Sequence, residues 1–399
     1  MNLGVPKRFG GLCVLLLAAI FAIPVQLRAQ DATTRRLQSA AQSLASGNLE
    51  RAENELQSVL RTSPEEYRAL DLMGVVRVLQ KRETDAQSFF LRVVQIKTDF
   101  ASGHAHLGLL YLQMGQLEQA IPELRLAVRL DSARTDASDA LVHIWRKQAR
   151  GAVAAGTPAA ALASLIDARK VAPDNPDVQY EFGMVALQMS LFEDAVVAFE
   201  KTLNLRKGDP LAFYGLGRAF MGLSKFDDAR QQFASYVIVR PDDFAGHSAL
   251  GMTLAALERV EEAREQFERS IALQPEQTES YFRLGLIDLD IKNLDSAARN
   301  LRLALAHDPN HSGALTALGR VEFAQKHYAD AANLLERAIA VDDSFGQAHY
   351  YLGLTYGRMG RKTESDEHLK AAVQLEQRES QKLRTTIKIQ EPQAVDPQK

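Results

Sequence analysis

The fold is decided by residues 210–243, which read PLAFYGLGRAFMGLSKFDDARQQFASYVIVRPDD, because this pattern recurs at intervals of 34 residues. Gly217, Ala229 and Phe233 stand at positions 8, 20 and 24 of the unit. Position 8 of most other units also holds a glycine, namely Gly74, Gly108, Gly183, Gly251, Gly285, Gly319 and Gly353. A fixed period of this size indicates an array of one supersecondary unit, whose apolar face is buried only when neighbouring units stack.

Each unit carries two helical stripes. Phe213, Leu216, Gly217 and Phe220 follow the spacing of one face of a helix, which we call helix A. Alanine at position 20 and a large apolar residue at position 24 mark a second helix, helix B, which in several units ends at a proline in position 32. Positions 8 and 20 are small because the two helices are expected to cross there. The predicted fold class is all-α.

Ten units fit this frame. They cover residues 33–66, 67–100, 101–134, 142–175, 176–209, 210–243, 244–277, 278–311, 312–345 and 346–379. The pattern resembles the tetratricopeptide repeat family, on the evidence of Leu107, Gly108, Tyr111, Gly115, Ala120 and Ala127 in the third unit. The resemblance implies a right-handed superhelical α-solenoid of about ten antiparallel helix–turn–helix repeats, and a function in binding other proteins.

The units form two blocks, repeats 1–3 in residues 30–134 and repeats 4–10 in residues 142–379. The insertion at 135–141 holds no proline or glycine, so it is expected to lengthen the next helix A at its start by about two turns. Two consequences stay open: a bend in the superhelix, or a division into two subarrays at this point. The first unit is compatible with a frayed cap, and residues 380–399 are predicted to form a capping helix with a disordered end.

Residues 1–29 have the pattern of a secretory signal peptide. Lys7 and Arg8 precede an apolar run over 12–25, and Ala29 offers a small residue for cleavage. We therefore expect a periplasmic or secreted protein of the bacterial envelope, with no membrane insertion after cleavage. The only cysteine, Cys13, lies in the apolar run, so the cleaved chain would hold no thiol. A chain without thiols suits an oxidising compartment. The alternative is that this run is kept and tethers the array to a membrane.

Charge argues against a polyanionic partner. The formal net charge is −3, and removal of Lys7, Arg8 and Arg28 takes away three positive charges and leaves −6. Acidic and basic residues alternate along the predicted helices, and no block of lysine and arginine is present. Nucleic acid is therefore not an expected partner.

No catalytic motif is found, so we expect no enzyme activity, no cofactor and no metal site. His307 and His311 are four residues apart, but Pro309 places them in a connector rather than on one helical face.

The other repeat histidines are interpreted as packing residues. His104, His247 and His349 share position 4 and are expected to be partly buried, whereas His106 is expected on the helix surface.

The resemblance implies that positions 2, 5, 9, 12 and 13 of helix A face the inside of the superhelix. Positions 5 and 9 give a predicted peptide-binding groove of Tyr180, Met184, Tyr214, Arg218, Met252, Phe282, Leu286, Arg320, Tyr350 and Leu354. Tyrosine and arginine often carry binding energy at interfaces. The alternative is that the rings only pack against the helix of the next repeat.

Chaperone-tail binding is not expected, because family members with that function use lysine at position 5 and asparagine at position 9, and no consecutive units here show that set. Arg146, Lys147 and Arg150 gather on the fourth helix A. They offer a place for an acidic segment, but a solvated basic face is the favoured interpretation.

The predicted function is that of a noncatalytic scaffold, which holds an extended or helical protein or peptide segment in its groove. Envelope assembly, secretion and polysaccharide export are the processes that the family resemblance suggests. The alternatives are a substrate-recruiting accessory subunit of a glycan-synthesis or transfer complex, and a membrane-tethered adaptor.

Overall fold

The computed structural model describes residues 32–390, and it describes side chains as far as residue 378. Every element of secondary structure in this range is an α-helix, which confirms the predicted all-α class. Residues 1–29, which the sequence assigns to a signal peptide, and the end of the C-terminal tail lie outside the described range. None of the described helices is both long enough and apolar enough to cross a bilayer.

The helices alternate between A and B helices. The A helices are α1 (Ala32–Ala45), α3 (Tyr67–Leu79), α5 (Ala101–Gln113), α7 (Thr135–Ala154), α9 (Pro176–Gln188), α11 (Pro210–Gly222), α13 (Phe244–Ala256), α15 (Glu279–Asp290), α17 (Ser312–Ala324) and α19 (Gly346–Arg358). The B helices are α2 (Leu49–Thr62), α4 (Glu83–Ile96), α6 (Leu117–Leu130), α8 (Pro158–Val171), α10 (Phe192–Leu205), α12 (Phe226–Val239), α14 (Val260–Leu273), α16 (Leu294–His307), α18 (Tyr328–Val341) and α20 (Lys362–Gln390). Each consecutive A–B pair forms one hairpin.

The chain divides into two compact units, unit 1 at Met1–Lys207 and unit 2 at Gly208–Lys399. Unit 1 contains α1–α10 and unit 2 contains α11–α20. Residues 135–141 begin α7, which lies inside unit 1. The chain is therefore not divided into two subarrays at the insertion, which was one of the two consequences that the sequence left open. This helix has 20 residues, whereas α5 and α9 have 13 each.

Glycine at position 8 lets the two helices of a hairpin approach closely. A Cβ built on Gly108 would lie 2.7 Å from Leu124 Cγ and 3.0 Å from the Leu124 backbone nitrogen. In the same way, a Cβ on Gly251 would lie 2.8 Å from the ring of Phe267, which is fully buried. The side chain at position 24 thus fills the space that the absent Cβ leaves, and this contact explains the period of the glycines.

Neighbouring hairpins share their core. Each B helix packs on the A helix of the next repeat within a unit, and most pairs of successive A helices within a unit also contact one another. In unit 1, one cluster of buried side chains extends from Val75 to Val178 and so joins four repeats. A single hairpin would leave these surfaces in water, so stability comes from stacking.

Buried ion pairs at position 11 connect successive repeats. The Asp288 side chain, only 1% exposed, accepts from Arg264 of the preceding B helix at 2.7 Å, and from Ser296 and Asn300 of its own hairpin. In unit 1, Arg77 reaches back to Glu53 at 2.8 Å, and this hydrogen bond lowers the pKa of Glu53 to about 2. A buried charge is tolerated only when it is paired, so these contacts favour one partner repeat over others.

The position-4 histidines are packing residues. Each ring binds helix A to helix B and to a backbone carbonyl of the preceding connector, six residues earlier in the chain. The partners across the hairpin are Glu123 for His104 at 2.6 Å, Gln266 for His247 at 2.8 Å, and His368 for His349 at 3.0 Å.

The expectation for His106 was wrong. Its side chain is only 3% exposed, and Nδ1 lies 2.7 Å from the Asp71 carboxylate on the preceding A helix. Position 6 therefore faces the neighbouring repeat rather than solvent. His307 stacks against Tyr281, and His311 caps α17 by accepting from the Ala314 backbone N–H. Among the described side chains, no group of three or more metal-ligating residues is gathered.

The glycine contact can be tested with two substitutions in unit 1. Gly108→Ala forces a methyl group against Leu124 and is expected to destabilise the hairpin by about 1–3 kcal/mol. The matched control is Gly151→Ala in α7, where a Cβ would meet no atom within 4 Å. This change should stabilise the chain by up to about 1 kcal/mol. Urea unfolding followed by circular dichroism measures both, and equal effects would contradict the crossing argument.

A second test concerns the His349–His368 pair. Burial and the neighbouring His349 lower the pKa of His368, although Glu336, Glu364 and Glu367 act in the opposite direction. The unfolded chain therefore binds this proton more readily, so stability is lost as the pH falls below about 6.5. His368→Gln copies the pair of His247 and should reduce this loss, measured as the change in melting temperature between pH 7.5 and 5.5. The reciprocal control, Gln266→His, should increase it.

Candidate functional site

All ten predicted groove residues lie on A helices, and none is buried. We call the surface formed by positions 5, 9, 12 and 13 of the A helices the A face. Met184 and Tyr350 are 37% and 46% exposed, and Arg218 is also exposed. Partly exposed are Tyr180, Tyr214, Met252, Phe282, Leu286, Arg320 and Leu354. Tyr180 and Met184 belong to unit 1, and the other eight belong to unit 2.

In unit 2, the A face is continuous from α13 to α19. Helix α13 contacts α15, α15 contacts α17, and α17 contacts α19. The Phe282 ring on α15 lies 4.6 Å from the ring of His311, which caps α17. The Arg320 guanidinium on α17 lies over the ring of Tyr351 on α19, 5.2 Å from its centroid. Side chains of neighbouring A helices therefore border one another on this surface.

The aromatic residues at position 5 pack and remain accessible at once. The Tyr214 ring lies 5.5 Å from Phe233 and 5.1 Å from Tyr236, both on helix B of its own hairpin, and burial raises the pKa of Tyr214. Tyr236 in turn donates its hydroxyl to Asp243. Tyr350 lies edge-on to its neighbour Tyr351 and leaves nearly half of its surface in solvent. The two interpretations offered by the sequence are therefore compatible, and the packing partner of Tyr214 is its own hairpin.

Arginines on the A face of unit 2 lack acidic partners. Among residues 32–378, no carboxylate oxygen lies within 4.0 Å of the guanidinium nitrogens of Arg218, Arg320 or Arg358. Arg283, on the same group of helices, differs because it pairs with Glu279 at 2.6 Å. Guanidinium groups without a carboxylate keep their hydrogen-bond donors available for a ligand.

In the basic cluster of unit 1, Arg146 is paired, which corrects the interpretation of a solvated face at this residue, whereas Lys147 and Arg150 are exposed. Arg146 binds Glu181 at 2.8 Å and Asp177 at 3.3 Å, both on α9, and Arg150 lies 3.9 Å from Glu181. The hydrogen bond with Glu181 raises the pKa of Arg146 despite its burial. Arg146 already donates to carboxylates of its own chain, so it is not a free donor for an acidic segment.

Arg358, Tyr351 and Phe323 are A-helix residues that the sequence reading of positions 5 and 9 missed. Phe323 and Tyr351 lie 6.3 Å apart, on successive A helices. Phe323 and Arg358 occupy positions 12 and 13, which belong to the same family stripe, so extending the reading to those positions finds them.

A spacing of 35 residues relates side chains that pair between successive repeats. It joins position 5 of one repeat to position 6 of the next, as in Asp71–His106 and Arg146–Glu181. Opposite charges at this spacing predict the pairing that the structure shows.

The family models that match this chain all describe the same repeat. Models of the tetratricopeptide repeat match residues 101–134, 146–210, 214–278, 248–314, 289–354 and 346–379. Together these matches cover more than half of the chain. No curated protein sequence matched the chain.

Several solved structures are similar in fold. MamA from Desulfovibrio magneticus RS-1 is 20% identical, with 43% of this chain and 97% of that chain covered and a TM-score of 0.41. YrrB, described as a TPR protein with an unusual peptide-binding site, is 21% identical, with 46% and 95% covered and a TM-score of 0.38. The APC/C hetero-tetramer Cut9–Hcn1 is 14% identical, with 86% and 81% covered and a TM-score of 0.48.

The double role of position 5 leads to a stability prediction. Tyr214→Ala removes a ring that packs on two aromatic side chains, so it should cost about 2 kcal/mol of local stability. Tyr350→Ala removes a ring that is largely in solvent and should cost less than about 1 kcal/mol. Amide hydrogen exchange in α11–α12 and in α19–α20 measures the two effects. Equal losses would mean that Tyr350 is a packing residue as well.

Proposed function

Because the chain belongs to the tetratricopeptide repeat family, we propose that it is a noncatalytic scaffold that holds a segment of a partner protein on the A face of its repeats. One observation carries this proposal. Aliphatic side chains stay partly exposed at position 9 of α13, α15 and α19, and aromatic side chains stay at least partly exposed at position 5 of the alternate helices α11, α15 and α19. Position 5 of the helices between them, α13 and α17, holds the buried Ser248 and Thr316. Accessible rings held in place by a packed hairpin lose little side-chain entropy when a partner binds.

The proposed location is the bacterial envelope. Its support is the sequence of residues 1–29, with two basic residues, an apolar run and a small residue at the end. Envelope assembly, secretion and polysaccharide export are proposed as the processes in which the scaffold acts. A membrane-tethered adaptor is the second candidate, favoured by the same apolar run if it is retained.

Affinity capture with the tagged full chain in the source organism tests the scaffold function. Three baits are compared: the native sequence, the A-face variant Met184→Ser with Tyr350→Ser, and a B-helix control, Ile238→Ser. The control residue is 80% exposed on α12, so it offers more apolar surface than either A-face residue. We expect the A-face variant to lose at least about fivefold of the captured partner, as loss of one interface anchor often costs about 1 kcal/mol or more.

The capture experiment has clear contrary outcomes. Loss of the partner from the Ile238→Ser bait, with retention by the A-face variant, would place the interface on the B helices. N-terminal sequencing of the recovered native bait tests its location. A start at Gln30 agrees with export and cleavage, whereas a start before the apolar run favours the tethered adaptor.

A further inference from the structure

The A face of unit 2 carries more arginines than carboxylates. Arg218 on α11, Arg320 on α17 and Arg358 on α19 have no carboxylate within 4.0 Å among the described side chains. Glu279 is engaged by Arg283, and Asp290 on α15 is exposed. The whole chain has a formal net charge of −3. The excess of arginine on this face is therefore a local feature and does not reflect a generally basic composition.

The structure holds one of these arginines ready for a ligand. The Arg320 guanidinium lies 5.2 Å from the centroid of the Tyr351 ring, and such stacking restricts its orientation. Guanidinium N–H groups point outward in the plane of the group, so stacking leaves them available for a bidentate contact. In unit 1, Arg150 occupies the same position 9 and lies 3.9 Å from Glu181, a carboxylate that also binds Arg146 at 2.8 Å.

Apolar side chains separate the arginines along the face. Met252 on α13, followed by Phe282 and Leu286 on α15, lies between the helices of Arg218 and Arg320. All three are partly exposed. Tyr350 and Leu354 on α19 continue the apolar surface beyond Arg320. A ligand for this face therefore needs carboxylates at its outer parts and apolar groups between them.

We propose that the A face of unit 2 binds an extended acidic peptide segment of a partner protein, with aromatic or aliphatic residues between its carboxylates. This inference rests on the proposed scaffold function and names the chemistry of the partner. Three helix-to-helix steps separate α11 from α17, or roughly 30 Å at about 10 Å a step. An extended chain covers that distance in about nine residues. The arginines bind and orient the carboxylates, and the apolar side chains between them contribute buried area.

A nucleic acid fits this face less well. Binding of a phosphate backbone depends on many basic contacts at regular intervals, on the order of 6–10 in a specific complex. Here three arginines lie on the face, and apolar side chains separate them. The apolar groups would also be left without partners by a phosphate chain.

Selection from a random twelve-residue peptide library on the full chain tests the proposal. We expect enriched peptides to hold Asp or Glu near both ends and Phe, Tyr or Leu between them. The most enriched peptide is then measured by fluorescence anisotropy beside a copy with each acid replaced by its amide. The acidic peptide should bind at least about tenfold more tightly, and the difference should shrink with added salt.

Charge-removing variants locate the contact. Arg218→Gln and Arg320→Gln should each weaken the acidic peptide by about tenfold and change the amide peptide less than about twofold. Neither arginine has a carboxylate partner to lose within residues 32–378, so circular dichroism should stay unchanged. The control is Arg299→Gln, which removes the same charge from an exposed position on helix α16. If the control weakened the acidic peptide equally, the preference would come from the overall charge of the chain and not from the A face. That result would overturn the proposal.

The other outcomes are equally decisive. Enrichment of neutral apolar peptides that still depend on Tyr350 would sustain the scaffold function and overturn the acidic partner. Stronger binding of a twelve-nucleotide single-stranded DNA, in competition with the acidic peptide, would show a phosphate site instead. Absence of any selected peptide would contradict both the acidic partner and the peptide-binding scaffold.

Discussion

The close approach of helix A and helix B at position 8 is the contact on which the rest of the structure depends. A glycine there lets the side chain at position 24 fill the hairpin, as Gly251 does for Phe267. The hairpin so formed is thin, and its apolar flanks would lie in water if it stood alone. Each flank is covered by the next hairpin, which sets successive A helices side by side within each unit. The binding surface is thus a consequence of packing, since the helices that stack also place their outward positions in one row.

Within that row, neighbouring repeats differ in what they leave free. Polar residues that meet across the boundary between repeats form hydrogen bonds with each other and are then not available to a partner. Asp71 pairs in this way with His106, and Arg146 with Glu181. Where the opposite position is apolar or aromatic, an arginine keeps its charge available, as Arg320 does over Tyr351. The distinction between a structural and a binding arginine therefore lies in the neighbouring repeat. By this criterion the A face of unit 2, with Arg218 and Arg320, offers a better surface for a carboxylate than Arg146 of unit 1, which is paired within the chain.

Much of the fold could be predicted from the sequence, because the 34-residue period reports which positions need small or apolar residues. Gly217 with Ala229 and Phe233 predicts a helical hairpin, and its repetition predicts stacking. The period does not report which polar side chains pair with each other. For this reason His106 was expected at the surface and Arg146 in solvent. The family resemblance assigns position 5 to the inner face, but it does not say how much of Tyr214 is covered, since that depends on Tyr236 in its own hairpin. The family therefore follows from the pattern, whereas the identity of the partner depends on contacts between repeats.

Site-specific photo-crosslinking tests the central claim, that partners bind on the A helices, most directly. A photoreactive phenylalanine analogue replaces Tyr350 on α19, or Ile238 on α12, which is the more exposed of the two residues. After irradiation in the source organism, the account predicts a covalent adduct with a partner protein from position 350 and none from position 238. An adduct from position 238 alone would contradict it, because the docking surface would then lie on the B helices.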